Sequence, residues 1–175
     1  MRFYDMRRPV LLSLAIAFVA HPLAAQTPPE TDPTPEAVVA EIYDLVSFEA
    51  GNRPDWDKVR SLFIPQAVIV LRTSRDATSV FSVDEFVDDF VNFIENTPAG
   101  AQGFTERIIR TNAMVFGEMA YVLVLYEAQI TGSPRPPTRG VDGFSLIRKD
   151  GRWLIVSITN EIPSADRPIP EVLRH

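Results

Sequence analysis

The dominant hydrophobic period of this chain changes near residue 104, and that change limits what it can fold into. Before it, apolar residues mostly recur three and four positions apart, the spacing of helices lying on a core. After it they recur every second position, the spacing of strands. Thr34 caps a first helix with Pro35 at its first position. Val38, Val39, Ile42, Leu45 and Val46 follow on one face, which predicts a helix over 35–49. Gly51 to Pro54 breaks it. Asp55 caps a short second helix carrying Trp56, Val59, Leu62 and Phe63, and Pro65 ends that one. Ala67 to Leu71 reads as a short buried strand, and Ser79 to Phe81 as another. Ser82 and Glu85 form a capping box, opening a third helix with Phe86, Val87, Phe90, Val91, Phe93 and Ile94. Asn96 to Gly100 stops it.

Four long strands then follow: Phe104 to Phe116, Met119 to Ile130, Arg139 to Arg148 and Arg152 to Asn160. Gly117-Glu118 and Asp150-Gly151 are tight turns of the hairpin kind. Thr131 to Thr138 is a proline-rich loop. Neither helices nor sheet can bury an apolar face alone, so the helices must cover one side of the sheet. The fold class is α+β, a curved antiparallel sheet of four long strands plus short edge strands wrapped around three N-terminal helices. On the second long strand Tyr121, Leu123 and Leu125 share one face, and Val122, Val124 and Tyr126 the other. Both faces are apolar. An antiparallel sheet with one side in water does not look like this, so a homodimer through the sheet is expected.

That element order, with Arg139-Gly140-Val141-Asp142-Gly143-Phe144-Ser145-Leu146 and Gly151-Arg152-Trp153-Leu154-Ile155-Val156-Ser157-Ile158, resembles the nuclear transport factor 2-like superfamily over residues 36–162. This group includes the SnoaL-like polyketide cyclases and ketosteroid isomerase. The resemblance implies a cone-shaped α+β barrel with a pocket at its wide end, and dimers through the outer sheet face. It does not imply one function, because the group holds isomerases, dehydratases, epoxide hydrolases, cyclases and binding domains.

The termini point to export. Arg2, Arg7 and Arg8 precede an apolar run from Val10 to Ala20, and Ala25–Gln26 offers a cleavage site, so residues 1–25 read as a signal peptide. The run is too short to span a bilayer. Arg7-Arg8 also fits a twin-arginine signal. Residues 26–35 are a proline-rich leader, and 163–175 a proline-rich tail on the surface. The expected location is the bacterial periplasm or the exterior, with no membrane attachment after cleavage. There is no cysteine, hence no disulfide framework. The formal charge is −6, and losing the basic signal makes it more negative, which argues against nucleic acid as a partner.

The two histidines are His21 and His175, so the domain itself contains none. Histidine triads and imidazole-ligated metal sites are excluded. No glycine-rich loop opens a helix, and no cofactor is expected. Isomerase chemistry of the related kind needs an Asp base with a Tyr and a protonated acid as donors. Tyr43 and Asp142 are the candidates for catalysis. The first short strand, where the resemblance puts the base, has no acid. Candidate pocket residues are Tyr43, Trp56, Phe63, Phe90, Arg107, Glu127, Asp142 and Phe144. Arg107 and Glu127 have a second reading, as a solvated cross-strand pair. The preferred function is non-catalytic binding of a small apolar or amphipathic molecule. The alternatives are a cofactor-free isomerase, lyase or hydrolase using Tyr and Asp, and a protein-interaction module working through the sheet.

Overall fold

The computed structural model describes residues 33–72 and 76–174. The expected signal, its cleavage between Ala25 and Gln26, and residues 26–32 of the leader lie outside them. Among the described residues no helix is long and apolar enough to cross a membrane.

The elements run α1 (Pro35–Val46), β1 (Phe48–Glu49), α2 (Trp56–Ser61), β2 (Phe63–Arg72), β3 (Thr78–Phe81), α3 (Val83–Asn96), α4 (Ala99–Gln102), β4 (Gly103–Phe116), β5 (Met119–Ile130), β6 (Thr138–Lys149) and β7 (Arg152–Glu161). A 3₁₀ turn at Glu171–Leu173 ends the chain. The caps are as the sequence implies. The Thr34 hydroxyl accepts from the Ala37 N–H at 3.2 Å. The Ser82 N–H donates to Glu85 Oε2 at 2.8 Å, and the Glu85 N–H returns to Ser82 Oγ. The first helix ends at Val46 rather than residue 49, because Ser47 turns extended and Phe48 starts a two-residue strand against Phe104. β2 begins at Phe63, earlier than Ala67, so Pro65 lies inside a strand rather than at a helix end.

All seven strands form one sheet, in the order β1-β4-β5-β6-β7-β2-β3, curved and not closed. The four long strands pair antiparallel throughout. β2 joins β7 in parallel, which makes the sheet mixed rather than wholly antiparallel. A parallel neighbour needs a long crossover. Here it is everything from β3 to β6. The inner face of the sheet carries Val122, Val124, Phe144, Leu146, Ile155 and Ile158. They pack under Val38, Val39, Ile42 and Val46 of α1 and Phe86 and Val87 of α3. Burial of this sort contributes roughly 25 cal/mol for each Å² of apolar surface removed from water.

The C-terminal segment returns across the outer face. Leu173 is only 1% exposed and packs with Leu125 and Val141. The expected surface tail is therefore docked on the sheet through Leu173, with Ile169 packed beside it. Among the described residues nothing covers the other half of that face. Met114 faces Tyr121, Phe116 faces Met119, and Met119 faces Ile147 in register, all exposed.

Candidate functional site

One polar side chain from each of four adjacent strands crosses the inner face. Strand parity places them. Phe104, Glu106 and Ile108 of β4 point inward, and Ile108 stands opposite Tyr126 of β5. Tyr126 stands opposite Gly140 of β6, so Asp142, two residues on, shares that face. Asp142 stands opposite Asn160 of β7. Glu106, Tyr126, Asp142 and Asn160 thus form a belt across the hollow of the sheet, and Tyr43 reaches it from α1.

These groups line a cavity of about 320 Å³. The belt is at one wall. The rest is apolar: Ile42 and Val46 of α1, Ile69 and Leu71 of β2, Phe86, Phe90 and Phe93 of α3, Phe104, Phe144 and Ile158. Phe90, Phe93 and Phe104 meet edge to face with centroids 5.2 to 5.8 Å apart. Each such contact adds about 0.5–1.5 kcal/mol beyond burial. Arg72 and Asp89 also border the cavity. Arg72 Nε is 2.7 Å from Glu161 Oε1, which also meets Arg167 at 2.9 Å.

Asp142 is 9% exposed. The Tyr43 hydroxyl donates to its Oδ2 at 2.6 Å, and Asn160 Nδ2 donates to its Oδ1 at 2.6 Å. Burial pushes the Asp142 carboxyl up to about 6, while hydrogen bonds from Asn160 and Tyr43 hold it down. Asn160 Nδ2 also donates to the Tyr126 hydroxyl at 3.0 Å. Having accepted there, Tyr126 keeps its own proton to donate. Burial, with Asp142 close by, raises both phenols above their ordinary range, so they act as donors and not as bases.

Glu106 differs from Asp142. Its carboxyl accepts no hydrogen bond from the described residues. Burial, then the charge on Asp142, pushes it up to about 8. Its backbone is fixed: its N–H donates to Ser47 Oγ at 2.9 Å, and that hydroxyl also reaches the Tyr43 carbonyl at 2.8 Å. The end of α1 is so tied to β4 at the site. Two acids on strands separated by β5 thus border one cavity, with the Glu106 carboxyl pushed up further than that of Asp142. Among the described residues no cluster of three metal-ligating side chains occurs.

Of the residues expected in the pocket, Tyr43, Phe90, Asp142 and Phe144 line the cavity, and Trp56, Phe63, Arg107 and Glu127 do not. Trp56 packs on Phe90 at 5.6 Å from outside the lining. Phe63 is buried in the core opposite Ile155. Arg107 and Glu127 are direct cross-strand partners on the outer face, joined as an ion pair with Arg107 65% exposed. Adjacent strand residues face opposite ways, so the inward acid is Glu106. Glu106, Tyr126 and Asn160 were not anticipated. Parity counted from Phe104 finds the first.

No family model matches the chain, and no curated protein matches it. Solved structures do. A protein with a cystatin-like fold from Caulobacter vibrioides is 13% identical, with TM-score 0.58 over 75% of this chain and 88% of that one. A nuclear transport factor 2-like protein from Pseudomonas putida is 8% identical, with TM-score 0.58 over 80% and 93%. A candidate dehydratase of the same group from Streptomyces avermitilis is 16% identical, with TM-score 0.56 over 73% and 92%. Helices seated in the hollow of a curved sheet, a cavity between them, and these likenesses give the chain the nuclear transport factor 2-like fold.

Proposed function

We propose that this chain is a cofactor-free acid–base catalyst acting on a small, mostly apolar molecule held in the cavity. What supports the reading is a pair of carboxyls, Asp142 buried and Glu106 half-buried, that border one largely apolar cavity and are pushed up to about 6 and about 8. Perturbed acids in a cleft mark functional sites, and a catalytic pKa near the working pH is the efficient one. The simplest chemistry is proton transfer beside a carbonyl. Asp142 takes a proton from the carbon, and the C–H electron pair becomes a C=C bond. The carbonyl π pair moves to oxygen, which takes its proton or hydrogen bond from Glu106 and Tyr126. Return of a proton to carbon completes an isomerisation or exchange.

The test is exchange of the α-protons of cyclohexanone in D₂O, followed by ¹H NMR. The protein should speed exchange over buffer, with a bell-shaped profile between pH of about 6 and 8. Asp142→Asn should lose roughly 10²-fold or more, the scale of a positioned base. Failure to exceed buffer would sink the catalytic reading. One observation favours a second reading, binding without turnover: each Asp142 oxygen already accepts a hydrogen bond. Native mass spectrometry of protein purified from its own compartment would then find an unaltered ligand.

Export and dimerisation belong to the same proposal. Support for export is the sequence of residues 1–25. Support for a dimer is the bare apolar half of the outer face around Phe116, beside the half the tail covers.

A further inference from the structure

We infer that the molecule this cavity takes carries a basic nitrogen, seated as an ammonium group against Glu106 between aromatic rings. The inference rests on the reading that the cavity holds a small, mostly apolar molecule, in its form without turnover, since a Glu106 ionised against an ammonium group has no proton to give a carbonyl. Among the described residues, the charges that border the cavity are Asp89 from α3, Glu106 from β4, Asp142 from β6 and Arg72 from β2. Arg72 is engaged with Glu161. Among the described residues, three acids and one cation border the space, and that cation is engaged with a carboxylate of its own.

The acids are unequal. Asp142 accepts from Tyr43 and Asn160, whereas the Glu106 carboxyl accepts from nothing among the described residues. A half-buried carboxyl without a donor is pushed toward its neutral form. A ligand that brings a donor relieves it. An anion is repelled by Asp142. A neutral hydroxyl satisfies one oxygen and leaves the repulsion between Glu106 and Asp142 in place. An ammonium group brings up to three N–H donors and the opposite charge, and answers both acids.

The walls agree. Phe104 is on Glu106's own face two residues earlier, and Phe90 and Phe93 meet it at 5.8 and 5.2 Å. Tyr43 and Tyr126 stand 5.7 Å apart beside the belt. Ring faces attract organic cations within about 6 Å. The remaining aliphatic wall requires an apolar body behind the charged end. The class is an amphipathic amine with a ring or branched hydrocarbon skeleton.

The test uses two probes of one shape, 1-naphthylmethylamine and 1-naphthalenemethanol, titrated calorimetrically into the full mature chain at pH 7. The amine should bind roughly tenfold more tightly than the alcohol, a factor of the size cation–π and charge-assisted contacts give. Its binding should release close to one proton, read by repeating the titration in buffers of different ionisation heat. Glu106 is protonated in the free protein and ionised in the complex, so amine affinity rises with pH up to about 8. In Glu106→Gln the preference and the proton release should both vanish while the alcohol still binds. If the alcohol binds as well as the amine, or no proton is released, the basic-nitrogen inference falls and the apolar cavity stands. If neither probe binds, the cavity reading falls with it.

Discussion

Glu106 is the residue whose chemistry is most exposed to test. Its folded-state carboxyl titrates near 8, above the ordinary 4.5 of the unfolded chain. Between those values the folded protein holds a proton the unfolded one has lost, so stability falls as pH rises across that window. Glu106→Gln should flatten the fall and raise stability at pH 8 by on the order of 2 kcal/mol, measured by urea unfolding from pH 5 to 8. A stability curve with the same slope in both proteins would refute the raised carboxyl. Tyr43 and Asp142 were legible in the sequence as chemistry without a partner, a phenol within a helix and an acid within an apolar strand. The fold sets them 2.6 Å apart across 99 positions of sequence. Glu106 was legible only by counting from Phe104. A charged residue beside Arg107 on an alternating strand looks like a solvated one, and only the face decides. Asn160 was not legible. The register of β6 with β7 shifts between Ser145 and Leu146, so Ile155 and Ile158 both point inward although they are three apart. A bulge reverses parity, and no residue type at Val156 announces it.

At the scale of elements, the site depends on close approach between strands. Gly140 of β6 stands opposite Tyr126 of β5, and a Cβ added there would overlap the end of the Tyr126 ring. The absent side chain is what lets that ring lie flat along the sheet and reach Asn160. Gly140→Ala should cost about 1–3 kcal/mol through overpacking. It should also push the Tyr126 hydroxyl off Asn160, lowering exchange activity more than the Asp142 pKa. Thermal melts and the activity profile together check this, and an alanine variant with unchanged activity would show that Tyr126 takes no part. The elements themselves were readable because caps and period agree locally, as in Ser82 with Glu85. Their ends were less so. Pro65 suggested a stop, yet β2 runs through it at a point where its register with β7 breaks between Phe63 and Val68. Proline is tolerated in a strand where the ladder is interrupted.

At the scale of the molecule, the outer face divides into a half closed by Leu173 and a half left open. Phe116 is 80% exposed at the hairpin end. If two copies meet there, Phe116→Glu should convert a dimer to a monomer in analytical ultracentrifugation while circular dichroism stays the same. A wild-type chain that sediments as a monomer would end the dimer proposal. The parallel joint between β2 and β7 could not be read from sequence, since it brings together strands about ninety positions apart that share no local signal. That joint also sets an order of events for a chain made from its N-terminus. The last strand to emerge is the one that stitches the two halves of the sheet together, and it alone delivers Asn160. Without it Asp142 lacks its Asn160 donor, and the cavity lacks the wall made by Ile158 and Asn160. On the acid–base proposal, a chain cut short before β7 should show no exchange activity.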